Sequence, residues 1–241
     1  KVPACHTPIQ FGHLHATWLL RIKFTILLWV SLMKYDFKKM ATVEFNSTKR
    51  PKQVVVPSHS YFEIHGKGNP NDALFPDYIA ALYSVAYPTK MAFKKADPSV
   101  HGIYTDYTVP PLLGDWTISR VAVERGAWTK DDFVFRLRML IPDFVPIALA
   151  EKILLNAKSA RKAKLIDKVN IVKLPEKRVV QMLHVGPYDD EQISFDHIEM
   201  FLNEHQLTRT SQNHTEYYLN DARRIAPDRL KTVLEVEVAP K

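Results

Sequence analysis

The chain has 241 residues, 46% hydrophobic and 24% charged, with 33 Lys and Arg against 26 Asp and Glu. These values suit one large or two small globular domains and exclude disordered, collagen-like and polytopic membrane classes. Cys5 is the sole cysteine and there are 7 glycines, which excludes a disulfide framework, a cysteine-based zinc site and a CxxC pair, and leaves little room for phosphate-cradling glycine loops.

Residues 1–32 differ from the rest: they hold Lys1, Arg21 and Lys23 and no carboxylate, so they carry +3 of the net +7. The remaining +4 favours solubility and does not by itself imply nucleic acid. The clean apolar run 24–32 is too short for a hydrocarbon core that needs about 20 residues. Ser31-Leu32-Met33 offers no small-x-small cleavage site. The segment reads as a non-native or leader-like extension ahead of a start at Met33, with a signal or anchor, or a packed helix, as the other readings. It is set apart from the domain expected over 33–241.

Two stretches of the body echo each other. Val54-Val55-Val56 leads to Phe62-Glu63-Ile64-His65-Gly66, and Val179–Val185 leads to Gly186-Pro187-Tyr188, each a β-rich run with His near a glycine turn. Phe75, Tyr78, Ile79, Leu82 and Val85 then fall on one helix face, as do Phe195, Ile198, Phe201, Leu202 and His205. The next strands are 103–109 and 213–219, and the last are 116–123 and 232–238. Between the units, 133–141 reads as a linking strand and 146–164 as a helix. Lys158, Arg161, Lys162, Lys164 and Lys168 near its end read as a solvated face. The pattern predicts an α+β fold: tandem strand–helix–strand–strand (SHS2-type) modules, about 50–130 and 168–239, around a pseudo-twofold central cleft.

This pairing sets Asp106 opposite Glu216 at equivalent positions. Alternation places Tyr104, Asp106 and Thr108 on one strand face, and His214, Glu216 and Tyr218 on the other strand's. If those faces line the cleft, two carboxylates meet an aromatic cavity; if they are the solvated faces, the acids are surface charges. Tyr107, Trp116 and Tyr188, beside turns and strand ends, are candidates for ligand contact, whereas Tyr78, Tyr83 and Tyr87 read as helix packing. His65 and His184 belong to no metal-binding spacing and are expected to bond turn backbone.

These residues resemble the GyrI-like (gyrase-inhibitor-like) small-molecule-binding family. The likeness rests on the doubled unit, on His184-Val185-Gly186-Pro187-Tyr188-Asp189-Asp190-Glu191, on the acid-bearing strand at 214–221, on the run 62–71, and on Tyr107 through Trp116. The resemblance implies a cytoplasmic bacterial protein, monomer or homodimer, whose cleft takes a hydrophobic, planar or cationic small molecule without metal or other cofactor. Only 34–53 precedes the first unit, too little for a helix-turn-helix, so direct DNA binding is not expected. A stand-alone branch of the family consists of hydrolases that open the cyclopropane ring of DNA-alkylating compounds. By resemblance, Glu216 and Tyr107 become catalytic candidates, and Trp116, Asp106, Tyr188, Tyr104 and Tyr218 ligand-binding ones. A non-catalytic binder or sensor, or a gyrase-inhibitor-like partner-binding protein, are the alternatives.

Overall fold

The computed structural model describes residues 33–40, 45 and 48–241. The expectations for residues 1–32, Cys5 included, lie outside the described residues.

Eight strands form the spine of one antiparallel sheet in the order β2 (Lys52–Val56), β8 (Lys177–Val185), β11 (Lys231–Pro240), β10 (His214–Tyr218), β5 (Leu112–Ile118), β6 (Phe133–Ile141), β3 (His59–Lys67) and β7 (Asn170–Leu174). A ninth, β9 (Leu207–Arg209), pairs with β11. The fold is α+β. Strands β5 and β10, one from each half of the chain, meet at the centre, while β2 pairs with β8 and β7 with β3. Each end of the sheet is thus a strand contributed by the other half of the chain.

Helix α2 (Phe75–Lys94) starts at a proline in its first turn and buries Tyr78, Ala81, Leu82, Val85, Ala86, Thr89 and Phe93, a stripe at helical spacing. Helix α4 (Ile147–Ser159) buries Ala150, Leu154 and Ala157 and packs on α2. In the second half, α5 (Gln192–Glu204) buries Ser194, Ile198 and Leu202. Ile198 and Leu202 close a separate small core with Val180, Met182, Leu234 and Val236 of β8 and β11. Both α2 and α5 cover the same face of the sheet. Phe75 of α2 lies 6.0 Å from the Trp116 ring on β5, and Phe195 of α5 lies 4.9 Å from the His214 ring on β10. Trp116 and His214 are direct cross-strand partners, and such partners share a face.

Two expectations are corrected, and a third element, found where it was expected, takes an interior place in the sheet. The segment 103–109 is not the counterpart of β10: β4 (Tyr104–Tyr107) pairs in parallel with β1 (Met33–Tyr35) in a separate two-stranded sheet, next to the short helix α1 (Phe37–Met40). The strand placed at 116–123 stops at Ile118, because the Ser119 side chain accepts the Ala122 N–H and starts helix α3 (Arg120–Arg125). The linking strand, β6, lies inside the large sheet between β5 and β3. In each half, the strand beside the seam is therefore followed by an interior strand.

Candidate functional site

Glu216 occupies the middle of β10, opposite Gly114 of β5 and so at the seam between the two helix-covered halves. Its exposure is 8%. Its Oε1 is 3.0 Å from Nε2 of His214, two residues back on the same face. Tyr218, two residues on, hydrogen-bonds the same carboxyl group. The Tyr218 hydroxyl also accepts the indole N–H of Trp116 at 2.9 Å. An oxygen that accepts from the indole keeps its own proton for Glu216, so the chain Trp116–Tyr218–Glu216 has one direction. Gly114 makes this possible: a Cβ there would collide with the indole and stand 2.9 Å from the Tyr218 hydroxyl. Burial first, and then the charge of Glu216, hold the Tyr218 phenol well above its usual range.

A second carboxyl completes the group. Glu191, 7% exposed, precedes α5. Burial, then the charge of Glu216, then that of Asp189, push it up to about 10. It is therefore neutral at pH 7, and its Oε1 is buried without a hydrogen-bond partner. Tyr188, in the same turn, meets the Tyr218 ring edge-on at 5.8 Å. Burial, Glu216 and Glu191 together push its phenol up to about 12. The turn carrying Tyr188 and Glu191 is fixed by local chemistry. Gly186 adopts a φ of 146°, which side chains disfavour. His184 clamps the turn, with Nε2 3.0 Å from the Pro187 carbonyl and Nδ1 3.0 Å from the Ser194 hydroxyl. A carbonyl only accepts, so Nε2 carries the proton that it donates to Pro187.

The structure brings together Glu216, Trp116, Tyr218 and Tyr188 of the expected residues and gathers the others elsewhere. Tyr107 is 2% exposed, its ring among Phe37, Phe93 and Phe144 at 6.3, 5.9 and 5.7 Å. Tyr104 packs on Tyr35 and Phe144 at 4.8 and 5.1 Å. Asp106 is held by Lys90 and Lys94 at 3.3 and 3.1 Å, and these bonds, with the Tyr107 N–H, outweigh burial and keep it below the usual carboxylate range. All three belong to β4, outside the large sheet, so Asp106 does not face Glu216 across the seam. Glu191 is the partner acid. Only its place after the Gly-Pro-Tyr turn marked it in the sequence, since a glutamate at a helix start reads as ordinary capping charge.

Among the described residues, no group of three His, Cys, Asp or Glu side chains gathers as a metal site, and no helix is long and apolar enough to cross a membrane. A crevice of about 40 Å³ beside Lys67, Phe75 and Tyr78 has room for little more than a water molecule or two.

The segment from α4 through β11, residues 147–238, matches the GyrI-like small molecule binding domain. The chain's likeness to solved structures extends into the first half. A hydrolase from Listeria innocua shares 28% identity over 86% of this chain and 100% of its own, with a TM-score of 0.72. An uncharacterized conserved protein from Listeria innocua gives the same identity and coverage with a TM-score of 0.73. No curated protein matches the chain. The GyrI-like match contributes Glu191, Glu216, Tyr188 and Tyr218, while Gly114 and Trp116 come from the strand that precedes it.

Proposed function

We propose that this GyrI-like protein is a cofactor-independent hydrolase that opens the cyclopropane ring of hydrophobic, polycyclic, DNA-alkylating compounds, a detoxifying activity. The observation that carries the reading is the buried pair Glu191 and Glu216, one carboxyl kept neutral and the other tied to His214 and Tyr218. Two titratable groups whose environments differ in this way divide acid and base roles between them. The likeness to a Listeria hydrolase agrees with it.

In a cyclopropane conjugated to a dienone, water adds to a ring carbon as the ring C–C bond breaks. The electron pair released moves through the dienone to the carbonyl oxygen. Glu216 takes the proton of the attacking water, and Glu191 gives its proton to the oxygen, which becomes a phenol. Proton return from Glu216 to Glu191 restores both groups, so the net reaction is addition of one water. The rings of Trp116, Tyr188 and Tyr218 supply flat walls, and exclusion of bulk water favours the pre-oriented one. Tyr107, the donor candidate read from sequence, is packed away from this group, and Glu191 takes its place.

The test incubates the protein with a spirocyclopropyl dienone and follows ring opening by mass. Glu216→Gln should lower turnover on the order of 10²-fold or more while binding largely survives. Tight binding without ring opening by the wild type would make the protein a binder of such compounds and end the enzyme reading.

A further inference from the structure

Among the described residues, Oε1 of Glu191 and Oγ1 of Thr232, both on the helix-covered side of the sheet, are buried without a hydrogen-bond partner. Thr232, 0% exposed, lies on β11 directly between Tyr218 of β10 and His184 of β8. Its side chain therefore shares the face that carries Tyr218 and Glu216. Tyr218 already gives its proton to Glu216, and His184 is engaged with Pro187 and Ser194, so neither neighbour satisfies the threonine. Glu191 belongs to the same neighbourhood: its carbonyl accepts the N–H of Ser194, the Ser194 hydroxyl meets His184, the cross-strand partner of Thr232, and Tyr188 of the same turn meets the Tyr218 ring at 5.8 Å.

The chemistry of the two orphans points one way. A threonine hydroxyl and a neutral carboxyl each hold one O–H. Buried polar groups are nearly always paired, and an orphan calls for a partner that the fold itself does not supply. One atom that satisfies both is an acceptor without a proton of its own, which describes a carbonyl oxygen. A permanent cation would answer the need less well: it would have to displace the Glu191 proton and would leave the Thr232 hydroxyl unpaired. A buried carboxylic acid kept neutral so that it can donate is an established device for holding a developing oxyanion.

We propose that Glu191 and Thr232 form a two-donor seat for a carbonyl oxygen, so that the ligand of this cleft is a neutral, planar ketone or dienone rather than a permanent cation. The inference rests on the ligand site proposed above. It adds a binding residue, Thr232, that no catalytic step requires, and sets a neutral carbonyl ligand against a cation.

The test uses 9-fluorenone, its carbonyl-free counterpart fluorene, and a lipophilic quaternary ammonium ion. Affinities are measured by quenching of protein fluorescence, and the carbonyl stretch of bound fluorenone by infrared difference spectroscopy. Fluorenone should bind on the order of tenfold tighter than fluorene, with its carbonyl band moved to lower wavenumber. Thr232→Val should lose most of that advantage and move the band part-way back, while Thr232→Ser keeps both; thermal melting of each variant confirms that it folds. Equal affinity for fluorene and fluorenone, an unshifted band, a Thr232→Val protein identical to wild type, or binding of the cation alone would each overturn the seat. So would a wild type that takes neither aromatic probe. Ring opening of the dienone without these carbonyl effects would leave the hydrolase standing and remove the seat; carbonyl effects without ring opening would do the reverse.

Discussion

Glu191 stores its cost in a measurable form. An unfolded chain releases that proton near the ordinary glutamate value of 4.5, whereas the folded protein holds it to about 10. Between those values the folded state binds more protons than the unfolded one. Its stabilising contribution is complete below about 4.5 and is lost progressively as pH rises toward about 10, by at most about 1.4 kcal/mol per pH unit. The groups facing it are Glu216, Asp189, Tyr188 and Tyr218, and Asp189 is itself paired with Lys130 at 2.7 Å. Glu191→Gln should therefore melt higher than wild type at about pH 8, with a smaller gap at about pH 5. A gap independent of pH would mean that Glu191 is not held neutral. Gly114 offers a second test. Gly114→Ala should push the Trp116 indole off Tyr218, at a cost of about 1–3 kcal/mol, and red-shift tryptophan emission. Unchanged emission and stability would show that the indole does not need that space.

At the scale of elements, β3 and β6 are locked by charge as well as by the ladder. Glu63 and Arg138 are direct cross-strand partners, both buried, with Nε 2.6 Å from Oε2. His65 holds the other Glu63 oxygen at 2.6 Å, and Asp115 of β5 lies 3.5 Å from the guanidinium. Burial opposes ionisation of Glu63, but these partners outweigh it and keep the group below the usual carboxylate range. Arg138→Met strands the Glu63 charge and should cost about 3–5 kcal/mol in urea unfolding, while Glu63→Leu added to it recovers part of the loss. No recovery in the double variant would mean that the cost lies in packing and not in the unpaired charge. Gly66 adds a steric constraint to the same strand: a Cβ there would drive into the Phe135 ring and stand 2.9 Å from Tyr78.

For the whole molecule, the seam between β5 and β10 decides cooperativity. The sheet runs unbroken through it, and β2 and β7 are exchanged between the halves, so neither half can open without tearing strands from the other. Native-state hydrogen exchange should give the central amides of β6 and β11 one common opening free energy. Two separate values would mean halves that unfold independently.

Much was legible in the chain itself. A short apolar run marked 133–141 and period-2 alternation marked 232–238 as strands, and helical spacing from Phe75 and from Phe195 marked the two helices that cover one face. The Gly186-Pro187-Tyr188 turn and the acid-bearing strand pointed to the site before any coordinates. What the residues could not say was which strands become neighbours. The segment 104–107 alternates as a sheet strand does, yet Lys90 and Lys94 capture Asp106 and an aromatic cluster takes Tyr107, which leaves β5 to reach the seam. Ion pairs and core contacts between segments distant in sequence carry no periodic signal. Register across the seam set Glu216 opposite a glycine, and the clamp on the Pro187 turn brought a second acid beside it. Composition and pattern determined the elements; the neutral state of Glu191 came from burial and a neighbouring charge, which exist only once the chain has folded.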